Sequence, residues 1–518
     1  MNALLLLLLL FLLFGGILSG APVSFVLIAV PVIVAFFGAA IGHFDLTFLS
    51  AFPARAFGVL ANPIFLAVPL FVLMGGLLER SDIARRMMMT AGALFGNSRG
   101  GIAYAVVIVG ALLAASTGII GATIFMLGMI AMPAMISAGY SKSLGAGVIC
   151  AAGSLGQIIP PSVLLILLTD QISSAYQSGR RAAGEWAALP VSVGDLFAGA
   201  LLPGLLLVVL YLAYIFFMAS YRPQSCPPVA TRDEDGKAVR PELREILQSL
   251  LLPLMLILIV LGSILGGVAT ATESAALGAA GALVIAVLDR PGIGSWQKAA
   301  MIAVLPGAAL LVLVKLAGGA QAGTVQTVAA LAALVVVAVG SGIALLHELR
   351  SGNLMPVATE TARMVAMLTL IVFGASMLSL VFHGLHGDKM VQEFLQEVPG
   401  GPYMAVLVVM LIIFVLGFII EYVEIIFIVV PIAGPPLMQA GVDPVWFAIL
   451  ISMNLQMSFL TPPFGYALFY FRRVAPAEVR TTDIYAGIVP FILLQMLALA
   501  TVAFIPELAT WLPSVIYR

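Results

Sequence analysis

Charge is scarce in this chain. Only 9% of its 518 residues are Asp, Glu, Lys or Arg, against about 25% in soluble domains, which excludes a soluble globular protein. The 23 basic and 24 acidic residues leave a net charge of −1, so there is no basic footprint and no nucleic-acid partner is expected. Cysteine is scarcer still. Cys150 sits in an apolar tract and Cys226 in a polar loop, which excludes a disulfide framework and a cysteine metal cluster. Among the few histidines, His383 and His386 stand in an H-x-x-H spacing beside Asp388 and Lys389. Without further ligands nearby they read as an interfacial loop. No nucleophile elbow, P-loop or HExxH is present, so an enzyme has no support and ATP does not drive the chain directly.

What is present is apolar sequence, 62% of all residues. Apolar tracts occupy 3–19, 22–40, 58–78, 100–138, 143–172, 196–218, 247–264, 268–288, 299–317, 322–346, 361–381, 402–440, 445–471 and 484–511. One bilayer crossing takes about 20 apolar residues, so a dozen or more spans are expected. A β-barrel would instead alternate polarity over segments of about 10 residues, whereas 202–218 and 250–261 are apolar throughout. The reading is an all-α polytopic integral membrane protein in a lipid bilayer. Its first tract has no basic n-region and runs on into a second, so it is read as a span rather than a signal peptide. Trp186, Trp296, Trp446 and Trp511 near tract ends read as aromatic-belt residues.

The polar stretch 221–245 divides the chain into halves that resemble each other. Gly139, after Ala138, precedes the pair Pro160-Pro161 by 21 residues, and Gly441, after Ala440, precedes Pro462-Pro463 by 21 residues. A Pro-Pro pair inside a span removes two backbone donors and frees carbonyls at membrane depth. Paired broken helices in corresponding positions point to a transporter's binding site.

Basic residues set the orientation. With the N-terminus outside and the long tracts 100–138 and 402–440 taken as re-entrant hairpins, 16 of the 23 Lys and Arg fall inside and five outside. That bias follows the positive-inside rule. It makes the first hairpin enter from the cytoplasm and the second from outside, so the repeats are inverted.

Several residues in these tracts are suited to chemistry. The first hairpin's tip, from Ser116 through Gly118 and Gly121 to Thr123, is small and hydroxylated. Such a segment turns sharply while offering hydroxyls and carbonyls, or else serves as a small-residue packing face. The segment from Gly153 through Ser154, Gly156 and Pro160 to Ser162 is placed to lie opposite it, and two facing breaks would offer oxygen ligands to a hard cation such as sodium. In the second half, Thr461, Pro462, Pro463 and Gly465 form the counterpart break. Glu421 and Glu424 sit in mid-tract, where a carboxylate is costly and marks function, unless it merely caps a wet turn. Thr270 with Glu273 three residues on reads as a capping box whose threonine oxygen could also aim at an ion.

Taken in order, GAPV at 20–23, STGIIGAT at 116–123, GSLGQIIPPS at 153–162, TATES at 270–274, GFIIEYVEIIFIVVP at 417–431, AGVDPVWF at 440–447 and LTPPFG at 460–465 resemble the large membrane subunit of tripartite ATP-independent periplasmic (TRAP) transporters, the DctM-like family. The resemblance implies secondary active, sodium-coupled uptake of an organic anion, usually a carboxylate, across a bacterial inner membrane. It implies two partners, a periplasmic substrate-binding protein and a small four-helix membrane subunit. It also implies an elevator mechanism in which hairpins and broken helices carry substrate and Na+ past a scaffold. Carried over by motif, one sodium site would use Ser116, Gly118, Gly121, Gly153, Gly156 and Pro160, and a second Thr270, Thr272, Glu421, Met457 and Thr461. Substrate would meet Thr123, Ser154, Pro161, Ser162, Pro462, Pro463 and Gly465. A self-sufficient anion permease or ion channel with broken helices is the alternative.

The expected organisation is scaffold helices (1–99), a first hairpin and broken helix (100–172), connecting helices with a cytoplasmic loop (173–264) and the start of the second repeat (265–298). An inserted helix pair (299–350) follows, relative to shorter members of the family. Then come a scaffold helix with a periplasmic loop (351–400), a second hairpin and broken helix (401–473) and a terminal helix (474–518).

Overall fold

A computed structural model describes every residue except 96–97, 118–119, 229–241, 289, 291–292, 319–323, 463–464 and 518. Among the described residues the secondary structure is helical, without strands. Nine helices there are long and apolar enough to cross a membrane, or up to eleven if each of two bent pairs is one span. The protein is an all-α, multi-pass membrane protein. The tracts outnumber these spans because hairpin arms and broken halves are short: Gly101–Ala115 and Pro444–Leu460, for example, are apolar helices of under 18 residues. Seventeen residues of helix reach about 25 Å, less than the roughly 30 Å hydrocarbon core.

The chain divides into two compact units. Met1–Leu66, Ile166–Ser192 and Ala362–Ser458 form the first, and Ala67–Leu165, Val193–Thr361 and Phe459–Arg518 the second. In the second unit, helices Gly101–Thr117 and Ile120–Ser137 pack side by side as a hairpin. Gly139 ends it at φ +81°, with Tyr140 N–H donating to the Met135 carbonyl and Gly139 N–H to that of Ile136. This is a Schellman stop, which needs a residue at positive φ and so selects glycine. In the first unit, Gly401–Leu416 and Tyr422–Gln439 form the second hairpin, and Gly441 ends it at φ +89° with the same two bonds, from Val442 to Leu437 and from Gly441 to Met438. The repeat in the sequence is therefore a repeat of hairpin plus stop.

Glycine also sets how closely helices approach in the second unit. A Cβ on Gly487 would lie 1.9 Å from the Ser143 carbonyl oxygen, and one on Gly147 2.1 Å from that of Gly487. Helix Thr481–Phe504 therefore lies backbone to backbone against Lys142–Ser154. Beyond it the apolar tract 484–511 is not one helix. It stops at Phe504 and restarts at Glu507, because Pro506 cannot continue the ladder.

The tracts pass over 80–99, yet Ile83–Phe95 is helical there. Its buried Ile83, Ala84, Met87, Met88 and Ala91 trace one amphipathic face too polar overall to register as a span. Trp186, Trp296 and Trp511 are exposed, as belt residues would be. Trp446 is not: it is buried and meets the Tyr403 ring edge-on at 5.7 Å. The helix pair expected to be an insertion consists of Val304–Gly318 and Thr324–Ser351, packed together where Gly340 leaves room for Val304. Near its end Glu348, 2% exposed, pairs with Arg290 at 3.0 Å.

Candidate transport site

The first broken helix builds the site. Lys142–Ser154 runs into one 3-10 turn, Leu155–Gln157, and helix resumes only at Val163. Pro160 and Pro161 lack N–H groups, so the carbonyls of Gly156 and Gln157 lose their helical donors. The Ser162 hydroxyl repairs one of these, donating to the Gln157 carbonyl at 2.9 Å. Both arms of the hairpin close over the break. A Cβ on Gly153 would meet Ile124 at 2.3 Å, and one on Gly156 the Ala114 carbonyl at 3.3 Å.

Thr123, Ser154 and Ser162 are wholly buried there. So is the amide of Gln157, 1% exposed, and neither its Oε1 nor its Nε2 has a hydrogen-bond partner. Behind the break, Gln495 Nε2 donates to Tyr211 Oη at 2.8 Å and reaches Ser154 Oγ at 3.5 Å, while Ser154 Oγ donates to the Ala151 carbonyl. An unpaired buried amide costs about 1–3 kcal/mol per group. Such a group at a functional break is a place for a ligand that supplies the missing partners.

A sequence profile of the tripartite ATP-independent periplasmic transporter DctM component matches residues 9–312 and 290–508, nearly the whole chain. The chain belongs to that family. The two matched stretches of this DctM component overlap at 290–312, where the helix Val304–Gly318 begins. It is similar to the C4-dicarboxylate TRAP transporter large permease protein DctM of Pseudomonas aeruginosa, 26% identical over 87% of this chain and 86% of that one. It is also similar to the sialic acid TRAP transporter large permease protein SiaM of Vibrio cholerae, 24% identical over 96% of each. Among solved structures, the fold resembles the YdaH transporter of Alcanivorax borkumensis at 15% identity, with a TM-score of 0.53 over 89% of this chain and 87% of that one. The relatives are permeases and not enzymes, and the protein is a multi-pass component of the bacterial inner membrane.

In this permease the expected residues are distributed as follows. Gly153, Gly156, Pro160, Pro161 and Ser162 come together at the first break, with Thr123 and Ser154 buried beside it. Gly121 faces the Tyr470 ring, 2.9 Å from where its Cβ would be, so the helix after the second break rests on the first hairpin. Gly118 and the Ser116 side chain lie outside the described residues. The second set is divided, with Glu421 and Met457 in the first unit and Thr270, Thr272 and Thr461 in the second.

Within the first unit, the second hairpin packs on helix Pro444–Leu460. Asn454 Nδ2 donates to the Met410 carbonyl at 2.6 Å, and a Cβ on Gly417 would collide with Ser458 Oγ. Met457 is buried. Glu421 stands at the N-cap of Tyr422–Gln439, and Glu424, 4% exposed, keeps Oε2 without a hydrogen bond. Anionic groups suit a helix N-terminus, so both carboxylates sit where the hairpin's dipole supports them.

Within the second unit, Thr270 forms the capping box its spacing predicts. Its backbone N–H donates to Glu273 Oε2 at 2.7 Å, its hydroxyl donates to the same oxygen, and it accepts from Glu273 N–H. One lone pair of that hydroxyl is left for any other task. Gly465 is buried where a Cβ would meet the Phe459 carbonyl at 2.5 Å, so the chain doubles back there. Thr461 and Pro462 are half-buried at the same break, and Pro463 lies outside the described residues.

Sequence reasoning passed over Gln157, Gln495, Tyr211 and Asn454. Gln157 carried a usable signal, since an amide inside a Gly-Pro-rich break of an apolar tract has few structural reasons to be there.

Proposed function

We propose that this permease carries out sodium-coupled uptake of an organic anion, a carboxylate, delivered by a periplasmic binding protein, with a small four-helix membrane subunit at its side. The observation that carries this reading is the unpaired, buried Gln157 amide at the first break. Its Oε1 is an acceptor for a hard cation, and its Nε2 offers two donors to a carboxylate. One side chain can thus hold cation and anion together, which is what coupling requires. The Gly156 carbonyl freed by Pro160 is a second oxygen of the kind sodium takes. The relatives from P. aeruginosa and V. cholerae are named for C4-dicarboxylates and sialic acid, both acids. With no nucleotide motif in the chain, an ion gradient is left as the energy source, and the hairpins and broken helices are the moving parts an elevator would use.

Reconstitution tests this. Uptake of substrate loaded on its binding protein is expected to require that protein, the small subunit and inward sodium, and to fall about tenfold or more when potassium replaces sodium, a loss of about 1.4 kcal/mol of coupling. Equal uptake by the chain alone would instead establish a self-sufficient permease. Uptake indifferent to sodium would remove the ion from the mechanism.

A further inference from the structure

The first unit lines a half-open cavity of about 660 Å³ that belongs to neither break. Its size falls within the range of small-molecule sites, about 300–1,000 Å³. The walls come from 55–65, 170–182, 372–392 and 427–439. By the positive-inside count all four stretches lie at the periplasmic ends of their elements, and their meeting around one space fits that count.

Four lining side chains are ionisable, and three are committed to one another or to amides. Asp170 accepts from Asn62 Nδ2 at 2.6 Å on one oxygen and from Gln171 Nε2 at 2.8 Å on the other. His383 and Asp388 face each other at 3.4 Å. The Arg55 side chain, itself exposed, makes no hydrogen bond or ion pair among the described residues, so it is the lining group free to take an anion. A guanidinium stays charged at neutral pH.

Around that charge the surface is rich in hydrogen-bonding groups. Ser174, Ser178, Ser376 and Ser379 bring hydroxyls. Pro431, Pro435 and Pro436, which also line it, leave the carbonyls of Phe427, Pro431 and Ile432 without their helical donors. Glycine holds the walls close: a Cβ on Gly179 would lie 2.5 Å from the Pro435 carbonyl.

We propose that this cavity is a binding site for a hydroxylated organic acid, its carboxylate on Arg55 and its hydroxyls on the serines, the amides and the freed carbonyls. An ammonium ligand would meet an unpaired arginine and, in Asp170, a carboxylate whose two oxygens are already engaged. A purely apolar acid would leave the lining unsatisfied. The site's role as a periplasmic waiting place before the break at Gln157 rests on the proposed uptake function; its ligand chemistry does not.

The test uses the permease alone in membranes, without binding protein or sodium gradient. In Ser376→Cys, with Cys150 and Cys226 both buried, a membrane-impermeant cationic methanethiosulfonate should label the new thiol from outside. D-gluconate at about 50 mM is expected to slow labelling about tenfold, as mass action predicts for millimolar binding. Glucitol, which lacks the carboxylate, and hexanoate, which lacks the hydroxyls, should each protect far less. Adding Arg55→Gln should abolish protection by gluconate, and Arg55→Lys should keep part of it. Labelling unaffected by gluconate, protection that survives Arg55→Gln, or equal protection by glucitol would each overturn the proposal. Protection without sodium-driven uptake would refute the transport reading and leave the site standing, and uptake without protection would do the reverse.

Discussion

Replacing Gln157 by leucine is expected to raise the melting temperature of the permease while lowering sodium-driven uptake by about a hundredfold. The stabilisation follows from burial. Gln157 is 1% exposed and both polar atoms of its amide lack partners, so the folded state carries a desolvation cost of about 1–3 kcal/mol for each. Leucine is close in volume and removes the cost without opening a cavity. The loss of uptake follows from the same atoms. If Oε1 and Nε2 are the partners of the coupling ion and the substrate, deleting them forfeits about 2.7 kcal/mol or more, two factors of ten. An ordinary structural glutamine would behave oppositely, with the leucine variant melting lower and transporting normally. That result would take Gln157 out of the site. A residue whose removal stabilises the fold and stops the function is the signature of a site kept unsatisfied until it is loaded.

Much of the fold was legible in the sequence because its determinants are local. Gly139 and Gly441 announce helix stops by themselves, since a left-handed residue after an apolar run is nearly always glycine. Pro160-Pro161 and Pro462-Pro463 announce breaks because a missing N–H needs no partner to be felt. Thr270 and Glu273 form their capping box within four residues. What the sequence could not show depends on partners far along the chain. Trp446 lies near a tract end as belt tryptophans do, and only the ring of Tyr403 shows that it is buried. Ser154, Tyr211 and Gln495 meet across 341 residues of sequence. The cavity of about 660 Å³ is assembled from four stretches whose meeting no single motif announces. The helix Ile83–Phe95 was missed for a different reason: with Arg85 and Arg86 on its exposed side, its average polarity hides its apolar face.

The helix pair Val304–Gly318 and Thr324–Ser351 offers the other large effect, and it is asymmetric. Glu348, on the long helix Thr324–Ser351, is 2% exposed and pairs with Arg290 at 3.0 Å, whereas the arginine is 28% exposed and also donates to the Ala286 carbonyl at 3.3 Å. Arg80, which lines the same small cavity, is already engaged with Glu360 at 2.8 Å. Removing the arginine therefore strands a nearly buried carboxylate with no spare cation beside it, and Arg290→Ala is expected to cost about 3–5 kcal/mol. Removing the acid leaves a guanidinium with an open path to solvent along a flexible stem, so Glu348→Ala should cost about 1–2 kcal/mol, chiefly lost packing. The double variant Arg290→Met with Glu348→Leu should sit near the wild type, because an apolar pair of similar volume replaces a buried ion pair at little cost. Melting points of the three proteins in one detergent, read in that order, decide the matter. Equal losses from the two single alanine variants would mean that water reaches Glu348, and that the ion pair holds the long helix in place by charge alone.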